Sequence, residues 1–374
     1  MNTAIVTGAS GFIGARIARQ LLESGWRVHA LGRSKGRTCW RDRMISSLDD
    51  TNGRAMDREA LSGLQCHETD LLRPDLGLAE PASMRLTKHD ALLFHVAGDT
   101  RFTPPDTEAQ RQTNVMGSVN VFSCFGRLVR QAVHVSTAYV AGDRQGIVLE
   151  DDSDVGQAHR NPYEKSKLEA ELAVRDICCG TSLPLIIVRP SIITNDTQTG
   201  RSSTFTHLNA LVEVVSRIQE HFGIRDGQVV SEEIRLPVNP HCRPNLAPVD
   251  PIVTSLVEIA SNPQAPGRVY HLCHPGPQSN AEVMSLLAEA FGVKGKVALS
   301  FVSQLQKPLS WTERMFVRSF KPYLPYLNES CVFDLTNTRR SVPDYDSRFP
   351  ALSVDYLRKV IQWQRDHGNA RLRE

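Results

Sequence analysis

The stretch that decides the fold is Ala4-Ile5-Val6-Thr7-Gly8-Ala9-Ser10-Gly11-Phe12-Ile13-Gly14, a short apolar run that leads directly into three glycines. The run predicts a strand, and the apolar positions that follow recur at helical spacing up to Gly25. Glycines at such a junction allow a tight turn, and the helix N-terminus offers free N–H groups to a pyrophosphate. The stretch therefore predicts a dinucleotide site. The residues expected to contact the dinucleotide are Gly8, Ser10, Gly11, Phe12, Ile13 and Gly14.

Strand and helix patterns alternate after this unit. Further apolar strands are predicted at 27–31, 64–68, 91–96, 132–136 and 185–188. This alternation predicts an α/β fold, a Rossmann-type doubly wound parallel sheet with helices on both faces. The alternation stops near residue 200, and the remainder is mostly helical apart from a strand pattern at 269–272. The predicted boundaries are 1–200 for the dinucleotide-binding domain, with 245–275 returning to its sheet, and 201–244 and 276–374 for a smaller, mostly helical substrate-binding cap.

The composition excludes several classes of protein. Hydrophobic residues at 41% and charged residues at 22% of 374 exclude disorder, collagen and coiled coil for the chain as a whole. The net charge of +2 gives no indication of a nucleic-acid partner. Eight cysteines without a C-x-x-C pair, and histidines without metal-ligand spacing, predict reduced thiols and no metal site. No apolar run approaches the roughly 18 residues of a membrane span, and the N-terminus has no charged leader, so a cytoplasmic protein is expected. The sequence does not predict an oligomeric state.

The end of the second strand predicts which dinucleotide binds. A carboxylate there would bind the ribose 2′-hydroxyl of NAD, whereas the sequence has Ala30-Leu31-Gly32-Arg33. The guanidinium of Arg33 can fork onto a 2′-phosphate, which favours NADPH. Two alternatives stay open for the five basic residues between Arg33 and Arg43: a solvated loop, or a surface that meets a phosphorylated substrate or an acidic carrier protein.

A tyrosine and a lysine are predicted on one side of a later helix. Tyr163 and Lys167 lie four residues apart, and an ammonium next to a phenol is expected to lower the phenol pKa from its usual ~10. Taken alone, this spacing is equally typical of a surface helix. A strand that ends in Ser136-Thr137 changes the interpretation, because a hydroxyl there can hold a carbonyl oxygen next to the tyrosine.

The order of these motifs resembles the extended short-chain dehydrogenase/reductase family over residues 3–200. Further segments agree in order and spacing: Asp70-Leu71, His95-Val96-Ala97-Gly98, Asn114-Val115-Met116-Gly117-Ser118-Val119-Asn120 and Arg189-Pro190-Ser191. The resemblance implies that Tyr163 is the general acid, Lys167 its tuner and ribose ligand, and Thr137 the oxyanion partner. The further cofactor contacts that it implies are Asp70, Leu71, Ala97, Gly98, Tyr163, Lys167, Pro190 and Ile193.

Two stretches resemble a narrower branch, the thioester reductases and fatty acyl-CoA reductases, which are male-sterility-like. They are Asp70-Leu71-Leu72-Arg73-Pro74-Asp75-Leu76-Gly77-Leu78 and the segment 189–200. Asn195 departs from the glycine that is usual in that segment, so a differently shaped loop is expected there. The branch implies an NADPH-dependent reduction of an acyl thioester to a thiol and an aldehyde, with further reduction to an alcohol left open. Because the chain begins at the first strand, we expect the thioester to arrive on CoA or on a separate acyl-carrier protein.

Other interpretations share the same motifs. A ketone or hydroxysteroid reductase, or a sugar-nucleotide epimerase or dehydratase, would use the same catalytic residues with a different cap. A regulatory NADP sensor would lack the tyrosine. The apolar and aromatic stretch 311–327 fits a lid over an acyl channel, a helix at a membrane surface, or a helix packed on the cap.

Overall fold

The apolar runs of the first two hundred residues form strands of one parallel sheet. The protein is described by a computed structural model that covers residues 2–78, 91–205, 207–223, 230–293, 295, 297–328 and 331–367. Its strands are β1 Thr3–Thr7, β2 Arg27–Gly32, β3 Leu64–Glu68, β4 Ala91–His95, β5 Val129–Val135, β6 Gly146–Val148, β7 Leu185–Pro190, β8 Ile192–Thr194, β9 Val230–Leu236, β10 Leu246–Pro248, β11 Val269–Leu272, β12 Val297–Phe301 and β13 Cys331–Phe333.

Helices connect most of these strands. They are α1 Phe12–Glu23, α2 Trp40–Asp50, α3 Arg58–Ser62, α4 Thr107–Arg111, α5 Gly117–Phe125, α6 Pro162–Thr181, α7 His207–His221, α8 Val249–Ser261, α9 Asn280–Ala290, α10 Trp311–Phe320, α11 Leu324–Asn328, α12 Thr336–Ser341 and α13 Val354–His367. A π-helical turn, Gln112–Met116, joins α4 to α5. Among the described helices, none is both long and apolar enough to cross a membrane.

The chain divides into two compact units, each built from three segments. The first unit contains Met1–Ser191, Asp250–Cys273 and Phe333–Arg348. The second contains Ile192–Val249, His274–Val332 and Phe349–Glu374. The domain boundaries expected from the sequence stay a prediction.

The first unit contains the seven-stranded sheet in the order β11-β7-β5-β4-β1-β2-β3. Each neighbouring pair is parallel, and β1 lies between β2 and β4. All five residues of β4 are buried, as expected for a strand covered on both faces. Because the strand order reverses next to β1, the carboxyl ends of β1 and β4 border the crevice in which such sheets bind ligands. The α/β doubly wound prediction is confirmed.

A buried carboxylate ties a distant segment of the chain to the first unit. Glu150 accepts hydrogen bonds from the backbone N–H of His271 at 2.9 Å and from the Thr338 hydroxyl at 2.7 Å. It also accepts from the N–H of Asn337. Burial raises the pKa of this carboxyl, although these hydrogen bonds act in the opposite direction. Through Glu150, the segment 333–348 is joined to β11.

The second unit is mostly helical. Its hydrophobic core is formed by side chains of α7, α9, α10 and α13 together with β9 and β12. Phe316 and Phe320 of the aromatic stretch are buried in this core with their rings stacked at 4.9 Å. Trp311, at the start of α10, is 39% exposed and stacks on His221. Of the three interpretations of 311–327, these contacts favour a helix packed on its own unit.

The glycine-rich turn after β1 yields a stability prediction. A Cβ on Gly14 would lie within 3.0 Å of backbone atoms of Gly8 and Ala9, which cannot move aside independently. Gly14→Ala is therefore expected to lower the free energy of unfolding by about 1–3 kcal/mol, as overpacking does. Gly180, near the end of α6, has open space around it. Gly180→Ala is the matched control and should raise stability by up to ~1 kcal/mol. Urea unfolding followed by circular dichroism measures both, and equal midpoints for the two variants would contradict the packing argument.

Candidate active site

The loop between β1 and α1 brings the predicted glycine-rich residues together. Gly8 has a φ of +63°, and a Cβ there would lie 2.7 Å from the backbone nitrogen of Ala97. Gly11 is the N-cap of α1 and has no side chain to cap the helix. The N–H groups of the first turn are therefore left to backbone partners or a ligand, which is the arrangement that binds a phosphate. Ser10, Phe12, Ile13 and Gly14 belong to the same turn.

A buried hydrogen-bond chain joins this loop to the end of β4. The Thr7 hydroxyl lies 2.8 Å from Nδ1 of His95 and accepts the N–H groups of Val96 and Ala97 at 3.2 and 3.3 Å. Nε2 of His95 lies 2.9 Å from the Ser118 hydroxyl. Burial lowers the pKa of His95 to about 3, and the Lys167 ammonium acts in the same direction. The neutral imidazole thus holds the Thr7 hydroxyl, which accepts the N–H of Ala97, and Ala97 is the residue that packs against Gly8.

Lys167 lies in α6, and its side chain reaches the carboxyl end of β5. Its ammonium donates to the carbonyl of Val135 at 2.8 Å, and a Cβ on Gly98 would lie 4.0 Å from it. Burial lowers the pKa of Lys167 to about 8, while the charge of Glu171, one turn further along α6, raises it. The structure therefore brings together Gly98 and Lys167, two residues that the sequence placed in the same site.

Glu171 is itself held by a buried arginine. Arg189 donates to both carboxylate oxygens of Glu171, at 2.9 and 2.7 Å, and the two side chains are at most 1% exposed. Burial acts to raise the pKa of Glu171, but the guanidinium holds it below its usual value. The carboxylate is thus charged at neutral pH, where it favours the ammonium form of Lys167.

Tyr163 lies in the first turn of the same helix as Lys167 and shares a hydrogen bond with Thr137. The Thr137 hydroxyl also lies 3.4 Å from the carbonyl of Pro190. Burial raises the pKa of Tyr163 to about 12, and the hydrogen bond with Thr137 lowers it only in part. The expected lowering of this pKa is therefore not the net result, because loss of solvation outweighs the nearby polar groups. A phenol of this kind stays protonated at neutral pH and can donate a proton.

Asn114 is a residue of this site for which the sequence had suggested no role. It lies in the π-helical turn Gln112–Met116, a feature often found at functional sites. Its amide donates to the carbonyl of Asp99 at 3.0 Å and to the Ser166 hydroxyl at 2.9 Å, and its oxygen accepts the N–H of Asp99 at 2.7 Å. The motif 114–120 contained this asparagine. Side-chain periodicity, however, reveals neither the extra residue of a π-helical turn nor the direction of the Asn114 side chain.

The expected adenine side of the site lies at the ends of β2 and β3. Arg33 is exposed, and its carbonyl accepts a hydrogen bond from the Arg43 guanidinium. The carboxylate of Glu68 accepts the N–H of Ser34 at 3.0 Å, so an acidic group also lies near this position. Asp70 is exposed and accepts the N–H of Leu72 at 3.0 Å, which fixes the turn that contains Leu71.

The two remaining predicted contacts lie in different units. Pro190 ends β7 in the first unit, whereas Ile193 lies in β8 of the second unit, paired with Ala247.

The departure at Asn195 has a structural counterpart. Its amide donates to the carbonyl of Gly200 at 2.9 Å, and its own carbonyl accepts from Tyr356 at 2.6 Å. The Asn195 side chain thus closes this loop through a hydrogen bond that a glycine at the same position could not make.

The chain is similar to known proteins in sequence and in fold. Residues 6–253 match the model of the male sterility protein family. The nonribosomal peptide synthetase asaC of Aspergillus flavus is 25% identical over 96% of the chain, which covers 36% of that protein. The aldehyde reductase lnaA of the same fungus is 24% identical over 96% of the chain and 35% of its own length. The chain therefore spans about a third of the length of these curated relatives.

Solved structures share the fold at low sequence identity. The terminal R domain of the myxalamid PKS-NRPS biosynthetic pathway has a TM-score of 0.78 at 22% identity, covering 98% of this chain and 91% of that one. A thiolation-reductase di-domain of an archaeal nonribosomal peptide synthetase has a TM-score of 0.72 at 16% identity, with the same coverage of both chains. UDP-glucuronic acid 4-epimerase from Bacillus cereus, in complex with NAD, has 0.65 at 18% identity, covering 97% and 99%.

Proposed function

Because the chain belongs to the male sterility protein family, a thioester reductase branch of the extended short-chain dehydrogenase/reductases, we propose that this nicotinamide-dependent oxidoreductase reduces an acyl thioester to an aldehyde with NADPH. The observation that carries the proposal is the pair of hydroxyl groups, Thr137 and a protonated Tyr163, hydrogen-bonded to each other at the carboxyl end of the sheet. Relatives named as an aldehyde reductase and as nonribosomal peptide synthetases support the choice of substrate class.

The residues that would hold the dinucleotide are those of the loop after β1 and the end of β4. The fit rests on Gly8, where a Cβ would collide with Ala97, and on the uncapped first turn of α1. Bound there, NADPH supplies a hydride, which with a proton converts a thioester into an aldehyde and a thiol. The Lys167 ammonium, fixed by the Val135 carbonyl, is assigned to the ribose hydroxyls.

The remaining chemistry is assigned to side chains of the first unit. Thr137 and Tyr163 hold the carbonyl oxygen of the thioester and stabilise the negative charge that develops on it. The phenol of Tyr163, with its pKa raised to about 12, remains a hydrogen-bond donor at every physiological pH. Asn114 is a positioning residue, because it fixes Asp99 and the Ser166 hydroxyl next to this helix.

The thioester arrives on CoA or on a carrier protein. A solved relative that joins a thiolation domain to a reductase supports the carrier route. Both routes present the acyl group on the same phosphopantetheine arm, so the substrate chemistry at Thr137 and Tyr163 is identical. Reduction of the aldehyde to an alcohol would use the same two hydroxyls a second time.

The test of this function is the consumption of NADPH with acyl-CoAs, acyl-carrier thioesters, simple ketones and nucleotide sugars. We expect turnover with thioesters and the appearance of free thiol in equal amount. Tyr163→Phe should reduce kcat by at least 100-fold, because it removes the acid, while the affinity for NADPH stays within a fewfold. Turnover of ketones alone, or full activity of Tyr163→Phe, would contradict the proposal.

The preference for NADPH is assigned to Arg33. Arg33→Ala should weaken NADPH binding about tenfold or more while leaving NADH binding unchanged, because only NADPH has the 2′-phosphate. Arg54→Ala is a suitable control, since Arg54 also lies between β2 and β3 and bonds Arg19 through its backbone carbonyl rather than its side chain. Fluorescence titration with each nucleotide measures this without turnover. Equal weakening of both nucleotides would remove the assignment of Arg33.

The pKa of Lys167 predicts how the rate depends on pH. With a pKa of about 8, the ammonium is present below pH 8 and is lost as the pH rises through that value. Because the ammonium is the form assigned to the ribose, the rate of thioester reduction should fall above about pH 8. Lys167→Arg keeps its charge and should move this fall to higher pH, even at a lower plateau rate. A rate that stays constant up to pH 9.5 in the unmodified protein would contradict the role of Lys167.

A further inference from the structure

The loop 99–102, which follows β4, is anchored by two buried side-chain amides. Gln110 of α4 donates to the carbonyls of Asp99 and Arg101 at 3.3 and 2.7 Å. Asn114 accepts the N–H of Asp99 at 2.7 Å and donates to its carbonyl at 3.0 Å. Because Gln110 and Asn114 are each 1% exposed, little water competes for these bonds. The backbone just before residue 102 is therefore fixed on the first unit.

The last residue of this loop lies against the tyrosine assigned as proton donor. Phe102 is half-buried, and its ring stacks on that of Tyr163 with centroids 5.9 Å apart and planes 28° from parallel. This separation lies within the ~4.5–7 Å over which aromatic pairs attract each other. Phe102 therefore covers part of one face of the phenol ring.

Two contacts together restrain the Tyr163 side chain. Its hydroxyl shares a hydrogen bond with Thr137, which restrains the end of the side chain. The torsion that turns an aromatic ring about its Cβ–Cγ bond is broad, so one hydrogen bond leaves the plane of the ring poorly defined. The stacked ring of Phe102 restrains that plane. The loop 99–102 thus acts on the orientation of the phenol from the side opposite to its hydroxyl.

We propose that Phe102 is a positioning residue for the reduction, which fixes the plane of the Tyr163 phenol and keeps water from one face of its ring. The inference rests on the proposed thioester reduction, because the role of Tyr163 is assigned there. A fixed hydrogen bond to a developing negative charge stabilises it more strongly where water is excluded. Phe102 therefore acts on the reaction through Tyr163.

Loss of the Phe102 ring has two opposing effects on catalysis. Water at the phenol makes Tyr163 a somewhat stronger acid, which by itself would raise the rate. The same water competes for the hydrogen bond to the developing charge, and the loss of one fixed donor from such a site costs ~10²–10³ in kcat. The second effect is larger. Because the charge develops only in the transition state, it lowers kcat and leaves KM nearly unchanged.

The first test measures Tyr163 without turnover. The full chain is labelled with carbon-13 at Cζ of its seven tyrosines, and the Tyr163 signal is identified by its loss in Tyr163→Phe. In the unmodified protein we expect this phenol to stay protonated up to about pH 11, because burial raises its pKa to about 12. In Phe102→Ala its ionisation should move down by about one pH unit, since hydration favours the phenolate. Circular dichroism at each pH reports whether the chain remains folded.

The Phe102 substitution leaves the charged groups beside Tyr163 in place. They are Glu164, Lys167, Asp99 and Arg101, of which the last two are bonded to each other. A shift in Phe102→Ala therefore reports water at the ring rather than a changed charge. Phe102→Leu keeps an apolar side chain over the ring and should titrate nearly as the unmodified protein does.

The second test measures thioester reduction in the same variants. Phe102→Ala should lower kcat about tenfold while KM changes by no more than a fewfold, and Phe102→Leu should recover most of the rate. Phe222→Ala is the matched control. Phe222 is a half-buried phenylalanine of the second unit whose ring lies edge-on to His221, 5.0 Å away. This control should change neither kcat nor the Tyr163 signal.

A variant of the anchor keeps Phe102 itself unaltered. Gln110→Leu removes the hydrogen bonds to the carbonyls of Asp99 and Arg101 and so loosens the loop 99–102. It should shift the Tyr163 ionisation in the same direction as Phe102→Ala, by a smaller amount. If Phe102→Ala fails to fold, this variant decides the question, and an unshifted Tyr163 signal in it would overturn the proposal.

The two tests separate this inference from the proposed function. An unshifted Tyr163 signal in Phe102→Ala would overturn the role of Phe102 whatever the enzyme reduces. A raised KM with unchanged kcat would also overturn it, because Phe102 would then bind substrate directly. A shifted signal in a protein that reduces no thioester would refute the proposed function and leave the contact of Phe102 with Tyr163.

Discussion

The close approach of Gly8 to Ala97 is the constraint on which the site in the first unit depends. A Cβ on Gly8 would lie 2.7 Å from the Ala97 nitrogen, so only glycine allows the loop after β1 to pack on the loop after β4. The buried hydrogen bond between Thr7 and the neutral His95 holds the ends of β1 and β4 together, just before these two loops. These loops meet where the strand order of the sheet reverses, and there a phosphate can approach backbone N–H groups without displacing a side chain.

Burial then determines the charge states around that crevice. Burial raises the pKa of Tyr163, so its phenol stays protonated and can donate a proton. Burial lowers the pKa of Lys167 to about 8, so its ammonium is lost as the pH rises through that value. The Arg189–Glu171 pair opposes the effect on Lys167 by keeping a charged carboxylate one turn away. A buried ion pair of this kind adds little net stability by itself, and its value here is the charge that it presents to Lys167.

The sequence was sufficient for the parallel sheet and for the family, because alternating apolar runs and a glycine-rich turn reflect local rules. It was not sufficient to predict features that depend on contacts between residues far apart in the chain. Asn114 bonds Asp99 and Ser166 from a π-helical turn, and no periodicity of the sequence reveals such a turn. The tie between Glu150 and Thr338 joins residues 188 positions apart. The direction of the Tyr163 pKa shift was expected wrongly, because a spacing of four to a lysine does not reveal how deeply the phenol is buried. The role assigned to each site residue stays a prediction.

The central claim is that a hydride reaches the carbonyl carbon of a thioester held by Thr137 and Tyr163. The most direct measurement supplies NADPH deuterated at the transferable position of C4, together with an acyl thioester, and follows the product by mass spectrometry while free thiol is counted. The account predicts one deuterium at C1 of the aldehyde for each thiol released, and no labelled product with Tyr163→Phe. Release of thiol without deuterium in the aldehyde, or deuterium transferred only to ketones, would contradict it.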